Sequence, residues 1–431
     1  MKRFILLFLV FPAMSFLEVS HYTISPGYTL TQALNLEKKK LYLGGTSAQA
    51  ISIINLDENG YPKGEPIIYP TDTNCLCMGF FENKLYVGNN QDGYLYIYNL
   101  DEDGLIVGTP TKLPVAISEG MGAYSIVIDP ERKKLYVGNM SGENDLCIYS
   151  LDKDGNPIGQ PHFFTAVGYI TSIALNPVHN KLYFGSYGGV NPFVCGLNND
   201  GSLTGGGWSF NSGNLTYSLA LDIEKRRLYM ANNSHNDLSV VKLDNNGIPQ
   251  TYTTYSYGGP SVSVVLCKKK KKLYVGKNQS GNNLYIYELD EDGDIKGTPT
   301  SYPCGGPTFS LLLGEKLYVG NYSGGNNLSI LEENGKPFVS INNGATMTAT
   351  QDIEILLFSS NPHWVKVTGD IVGKAGWTMV NGGKKRIKAK LTPKEGNKKV
   401  CVYFLESSGF GNYTACLKKK EVSIFLKTKP K

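Results

Sequence analysis

The sequence predicts an all-β chain, built as a seven-bladed β-propeller followed by a small C-terminal β-sandwich-like domain. A strand motif repeated seven times and a composition suited to short strands and tight turns support the fold class. An uneven charge distribution separates the two domains.

The dipeptide Leu-Tyr recurs inside KKLYLGG, NKLYVGN, KKLYVGN, NKLYFGS, RRLYMAN, KKLYVGK and EKLYVGN. Its Leu falls at 41, 85, 135, 182, 228, 273 and 317, so successive units are 44 to 50 residues long. That length matches a four-stranded propeller blade, and seven copies imply seven blades. The third unit reads as strands at 124–129, 134–139, 145–151 and 162–165, with Gly, Pro, Asn or Asp at every junction. With 28 Tyr and 49 Gly against a charged content of 18%, the composition favours strands and turns over helices. The repeat phase sets the outer strand of the seventh blade at HisTyrThrIleSer (21–25), so the N-terminus closes the ring and removes its exposed edge.

From Ala345 to the end there are 16 Lys+Arg against 6 Asp+Glu, which leaves 26 against 31 before that point. A net acidic region followed by a basic one reads as two domains. Lys2 and Arg3 precede an apolar run from Phe4 to Met14, and Ala13-Met14-Ser15 is a small-x-small site. This pattern predicts a signal peptide at 1–15, a propeller at 16–342 and a basic all-β domain at 343–431. The expected location is secreted, periplasmic or extracellular, with no transmembrane segment.

Eight cysteines in an exported chain permit disulfides. Cys401 and Cys416 fall in two candidate C-terminal strands and pair across a short loop in one reading, or are small buried residues in the other. The remaining six occupy unrelated repeat positions, and no metal or cofactor motif assembles from them.

The LYVGN strand, the SGxNNL loop after it and the LDxDGxP turn resemble the YVTN-repeat, lactonase-like seven-bladed propellers. The resemblance spans about Ser20 to Asn342 and includes the 6-phosphogluconolactonases, which open a sugar lactone. It implies the fold, and lactonase-like hydrolase or isomerase chemistry on a sugar lactone as one function. No site motif matches position by position, so no catalytic residue carries over from it.

Ligands of propellers bind around the central channel, on the face holding the outer-to-inner connections. Those connections offer Asp72 and Glu119 as their acidic groups, and ANNSHNDL adds His235 on the same face. These three are the candidates for general acid–base work on a lactone. Their other reading is as ordinary solvated loop residues. Ser125, Ser172, Ser218, Ser263 and Ser310 begin inner strands, either as a polar channel lining or as small residues fitted where seven strands crowd. The seven Leu-Tyr tyrosines read as packing between blades.

On the opposite face the turns DENG, DEDG, DKDG, NNDG, DNNG, DEDG and EENG recur. They lack the later ligands of a calcium loop and read as hairpin turns. Asn139, Asn232, Asn278, Asn321 and Asn327 stand in glycosylation sequons, and Asn there is otherwise a turn former. Nucleic acid is not expected as a partner of an exported, net acidic propeller.

The C-terminal domain reads as strands at 363–367, 376–380, 386–391, 400–404 and 422–426, with Lys on the solvent side. Its charge suits an anionic cell-surface polymer, or simply a solubilising face. The leading functional reading is a secreted binding or interaction propeller that recognises a ligand or protein at the channel mouth. The alternative is the lactonase-like hydrolase.

Overall fold

In a computed structural model the chain is described over residues 19–426, apart from 25–26, 47–48, 117–121, 141–143, 166–167, 189–190, 213–214, 235–236, 315, 323–326, 333–337, 342–346, 349–350, 360–362, 373–377, 381–382, 395 and 411. The proposed signal peptide lies outside the described residues. No helix among those residues is long and apolar enough to cross a membrane.

Seven four-stranded antiparallel blades form the ring. Blade 3 is typical, with Ala123–Asp129 innermost, then Lys134–Asn139, Leu146–Leu151 and Pro157–Phe164. Its outer strand starts five residues before the predicted 162–165, because the chain resumes pairing directly after the turn. Side chains of the middle strands are buried, whereas Pro157–Phe164 is largely exposed, as expected for a sheet with one edge in solvent.

The seventh blade consists of Thr308–Leu313, Lys316–Asn321 and Leu328–Glu332, completed by the N-terminal strand Val19–Tyr22. Val19 pairs with Leu331 and Tyr22 with Leu328. Asn327 fixes the junction by accepting from the Ile24 amide at 2.7 Å. A buried cluster joins Leu312, Tyr318 and Ile330 of blade 7 to Leu34, Leu41 and Ile54 of blade 1. Ring closure therefore rests on backbone pairing and core packing together.

The repeated motif explains how neighbouring blades adhere. Six of the seven strand-two tyrosines project into the next blade and donate their hydroxyls to the carbonyl of a turn glycine. Tyr136 reaches Gly201 at 2.7 Å, Tyr183 reaches Gly247 at 2.6 Å and Tyr229 reaches Gly293 at 2.7 Å. Tyr42 and Tyr86 bond Gly104 and Gly155 in the same way, and Tyr318 closes the circle onto Gly60 of blade 1 at 2.9 Å. Burial pushes the phenols of Tyr42, Tyr86, Tyr183 and Tyr229 well above their ordinary range, so they remain donors at any physiological pH.

Glycine is required at the receiving turn on two grounds. Gly201 has φ +83°, and a Cβ there would lie 2.9 Å from the Tyr136 hydroxyl. The turn itself is held by its first Asp: Asp152 Oδ1 accepts from the amides of Asp154 and Asn156, each at 2.8 Å. The Asp-x-Asp-Gly segments are thus hairpin turns whose leading carboxylates bind backbone N–H groups.

The glycine of LYVG has a different duty. A Cβ on Gly185 would meet Ser172 Oγ at 2.2 Å and the Thr216 carbonyl of the next blade at 2.9 Å. The inner-strand serines therefore lie over these glycines and face the neighbouring blade. Ser218 accepts there from the Val264 amide at 3.1 Å. They are close-packing residues and not a channel lining.

The C-terminal residues form two facing sheets. One holds Phe338–Ile341, Asp352–Ser359 and Gly383–Lys390. The other holds His363–Gly369, Thr378–Val380 and a long hairpin, Gly396–Phe410 with Asn412–Leu426. Ile353, Ile355, Val365, Val367, Leu391, Val400 and Val402 make the core between them. The sandwich is as expected, but its last two strands are 15 residues each, far longer than the predicted 400–404 and 422–426.

That register excludes the disulfide, one of the two readings of Cys401 and Cys416. Cys401 stands opposite Glu421 and Cys416 opposite Glu406. The two cysteines are offset by five positions along the ladder, about 16 Å at the usual rise per residue. A disulfide needs Cα atoms within about 7 Å.

Removing one inter-blade phenol should leave a buried carbonyl without its donor. Tyr136→Phe is expected to lower unfolding free energy by about 1–3 kcal/mol in denaturant titration. Tyr252→Phe, on an exposed outer strand, should change it by less than about 0.5 kcal/mol. Equal effects would remove the inter-blade role.

Candidate binding site at the channel mouth

Seven inner strands around an axis leave a bore whose facing backbone edges are unpaired. Here the long C-terminal hairpin occupies it. Gly409 pairs antiparallel with Val264 in the inner strand of blade 6, Ser261–Cys267. On its other side, Cys416 and Leu417 run parallel to Leu34 and Asn35 in the inner strand of blade 1, Thr31–Asn35. The hairpin also lies against the inner strands of the other five blades.

The direction of entry follows from the register. Inner strands run from the face of the outer-to-inner connections toward the face of the acidic turns. The strand Asn412–Leu426 runs parallel to Thr31–Asn35 and ends in the sandwich. The sandwich therefore sits on the acidic-turn face, and the hairpin tip points to the ligand face. Lys366 of the sandwich reaches Glu82, in the first hairpin turn of blade 2, at 2.7 Å.

At the ligand face, five inner strands carry a β-bulge at one repeat position. The bulged residues are Tyr124, Thr171, Tyr217, Val262 and Phe309. A bulge re-aims the side chain of the extra residue, a device common beside binding sites. The hairpin's last pair, Phe410 with Asn412, stands one register beyond the Gly409–Val264 pair, near the level of these bulges.

Around the mouth the polar groups form a linked arc across four blades. Asn74 Nδ2 donates to Asn90 Oδ1 at 2.8 Å, and Asn90 Nδ2 donates to the Tyr124 hydroxyl at 3.0 Å. Tyr187 neighbours both Tyr124 and Tyr217, meeting the latter edge-to-face with centroids 5.7 Å apart. Asn233 hydrogen-bonds Tyr217, whose phenol burial pushes up to about 12. Asn74 is 7% exposed, yet its buried Oδ1 has no hydrogen-bond partner.

Across the mouth, blades 7 and 1 supply an aromatic ledge. Tyr322 lies 4.7 Å from Tyr28 and 4.9 Å from Phe309, ring centroid to centroid. Tyr28 is 40% exposed and Tyr322 38%. No residue of the arc or the ledge carries a charge.

Of the three candidate acid–base residues, Asp72 is among the described residues. Asp72 is exposed and stands 3.9 Å from Lys112, an exposed surface pair. Glu119 and His235 lie outside the described residues. Of the sequon asparagines, Asn139, Asn232 and Asn321 are wholly buried. Asn232 donates to the Ser212 carbonyl at 3.2 Å and to Ser239 Oγ at 2.8 Å, closing the loop above its blade. Asn278 is exposed.

Cleavage at 335–349, between the patterned regions of the sequence, tests the threading. The C-terminal fragment should co-elute with the propeller in native size-exclusion chromatography and separate only in denaturant. Separation in native buffer would mean the hairpin is not held in the bore.

No protein-family model matches the sequence, and no curated protein matches it. Solved structures do match in fold. The periplasmic gluconolactonase of Pseudomonas aeruginosa superposes with a TM-score of 0.56 at 14% identity, covering 82% of this chain and 99% of that one. A Bacteroides fragilis protein ascribed to the 6-phosphogluconolactonases gives 0.55 at 13% identity, over 68% of this chain and 97% of its own. An extracellular domain ascribed to a hybrid two-component system of B. thetaiotaomicron gives 0.52 at 12% identity and covers 94% of this chain. The chain spans only 56% of that protein's length. At these identities the likeness is one of fold: the chain shares the seven-bladed propeller found in lactonase-like and extracellular proteins.

Proposed function

We propose that this is an exported binding protein that recognises its ligand at the channel mouth. The observation that carries the reading is the filled bore. With the hairpin inside, a ligand meets the hydrogen-bonding groups and aromatic rings of the rim. Export is supported by the basic-then-apolar N-terminal run with its small-x-small site.

Lactone opening needs a proton-transfer group beside the reacting carbonyl and a group to polarise it. Asp72, spread into solvent beside Lys112, does not meet that need. A panel of sugar and acyl lactones should therefore be hydrolysed only at the uncatalysed rate. Turnover that falls about 10²–10⁴-fold in Asp72→Asn or Glu119→Gln would replace this reading with the hydrolase.

The basic domain serves, in the same proposal, to hold the protein on an anionic cell-surface polymer. Lys388, Lys390, Lys394 and Lys399 are exposed on the sandwich, and attraction of this kind is screened by salt. Retention on a sulfated-polysaccharide column should fall with ionic strength and fall further in Lys388→Gln/Lys390→Gln. Retention indifferent to both would leave the charge as a solubilising face.

A further inference from the structure

We infer that the channel mouth takes a neutral saccharide, lying with one face on the Tyr28–Tyr322 ledge and its hydroxyls toward the Asn90–Tyr124 arc. The inference rests on the binding reading and names its ligand class.

The argument begins with charge. The linked arc from Asn74 through Asn90 and Tyr124 to Tyr217 consists of amides and phenols, and the ledge of tyrosines and phenylalanine. The residues of the arc and the ledge offer a charged ligand no counter-charge of their own, which disfavours it against a neutral one. Burial holds the Tyr217 phenol up to about 12, so the arc stays uncharged at physiological pH.

Polarity comes next. An apolar ligand would waste the arc, whose amides and hydroxyls would be left facing hydrocarbon. Amides and hydroxyls both donate and accept, which suits a ligand carrying many hydroxyl groups.

The ledge supplies the remaining half. A pyranose ring has an edge of hydroxyls and a face of C–H groups, and the face packs on an aromatic ring. Tyr28 and Tyr322 are 40% and 38% exposed, so each amphipathic ring keeps part of its surface toward solvent. The mouth is thus apolar on one side and densely hydrogen-bonding on the other, matching the two characters of a single sugar.

The test is isothermal titration of the mature chain with cellohexaose, maltohexaose and N-acetylchitohexaose, and with hexagalacturonate as the charged counterpart. At least one neutral hexasaccharide should bind, and hexagalacturonate should bind more weakly. Tyr322→Ala and Asn90→Ala should each weaken binding roughly tenfold. Trp208→Ala, an exposed residue on the outer strand of blade 4, should leave it unchanged. Thermal melts of each variant confirm the fold, and Tyr322 is exposed enough for its replacement to be tolerated. Absence of binding by all three neutral probes overturns the inference. Tighter binding of hexagalacturonate that still weakens in Tyr322→Ala overturns the ligand class and keeps the mouth as the binding face. Neutral binding unmoved by both variants overturns the location, and the binding reading with it.

Discussion

The hydrogen bond from a strand-two tyrosine to a turn glycine of the next blade is the interaction on which the rest of this molecule depends. It joins two elements that recur in every unit, and it ties each blade to its successor at a fixed height. Blade sheets packed only through aliphatic side chains could slide or splay, because hydrophobic contact is not directional. A phenol that must reach one carbonyl cannot. The turn in turn needs glycine for its positive φ and an aspartate to hold its amides. Three residue types separated by about sixty positions are thereby constrained together.

Fixing the blades fixes the bore, and the bore creates a second problem that the C-terminal hairpin resolves. The inner edges of seven strands face one another across a space too wide for their own side chains to close. Pairing with blades 6 and 1 satisfies two of those edges and gives the sandwich, whose own core is small, a long attachment. The attachment also carries the turn end of the hairpin toward the face opposite the sandwich.

The propeller was legible because its cement is its motif. Leu-Tyr repeats seven times, and each unit has a turn ending in Gly, five of the seven beginning with Asp; the residues that repeat are those that bond. The hairpin was not legible, since FLESSGFGNY, at 404–413, has the composition of a loop. Its strand partners lie about 145 and 382 residues earlier, where no local pattern reports them. Expecting a short connection there led to the Cys401–Cys416 pairing that the register excludes. The mouth was half legible. Reading for carboxylates singled out Asp72, an exposed side chain, and passed over Tyr124, Tyr217 and Phe309. All three stand immediately before an inner-strand serine, so aligning the units on that serine would have found them. Thr171 and Val262 at the same position hide the pattern, and a bulge leaves no trace in alternation.

The two faces of the ring have divided the chemistry between them. On the acidic-turn face, charges are matched: Lys268 meets Asp222 at 2.8 Å, Lys272 meets Glu288 at 3.3 Å, and Lys366 brings the sandwich onto Glu82. The LysLysLysLysLys run at 268–272 is thus part of a mixed surface and not an isolated basic patch. The opposite face carries tyrosine, asparagine and glycine, together with charges of its own: Lys277 is buried there against Ser261, and Lys112 stands near Asp72. Its tyrosines are rigid and its amides both donate and accept, so polar contact there costs little side-chain entropy.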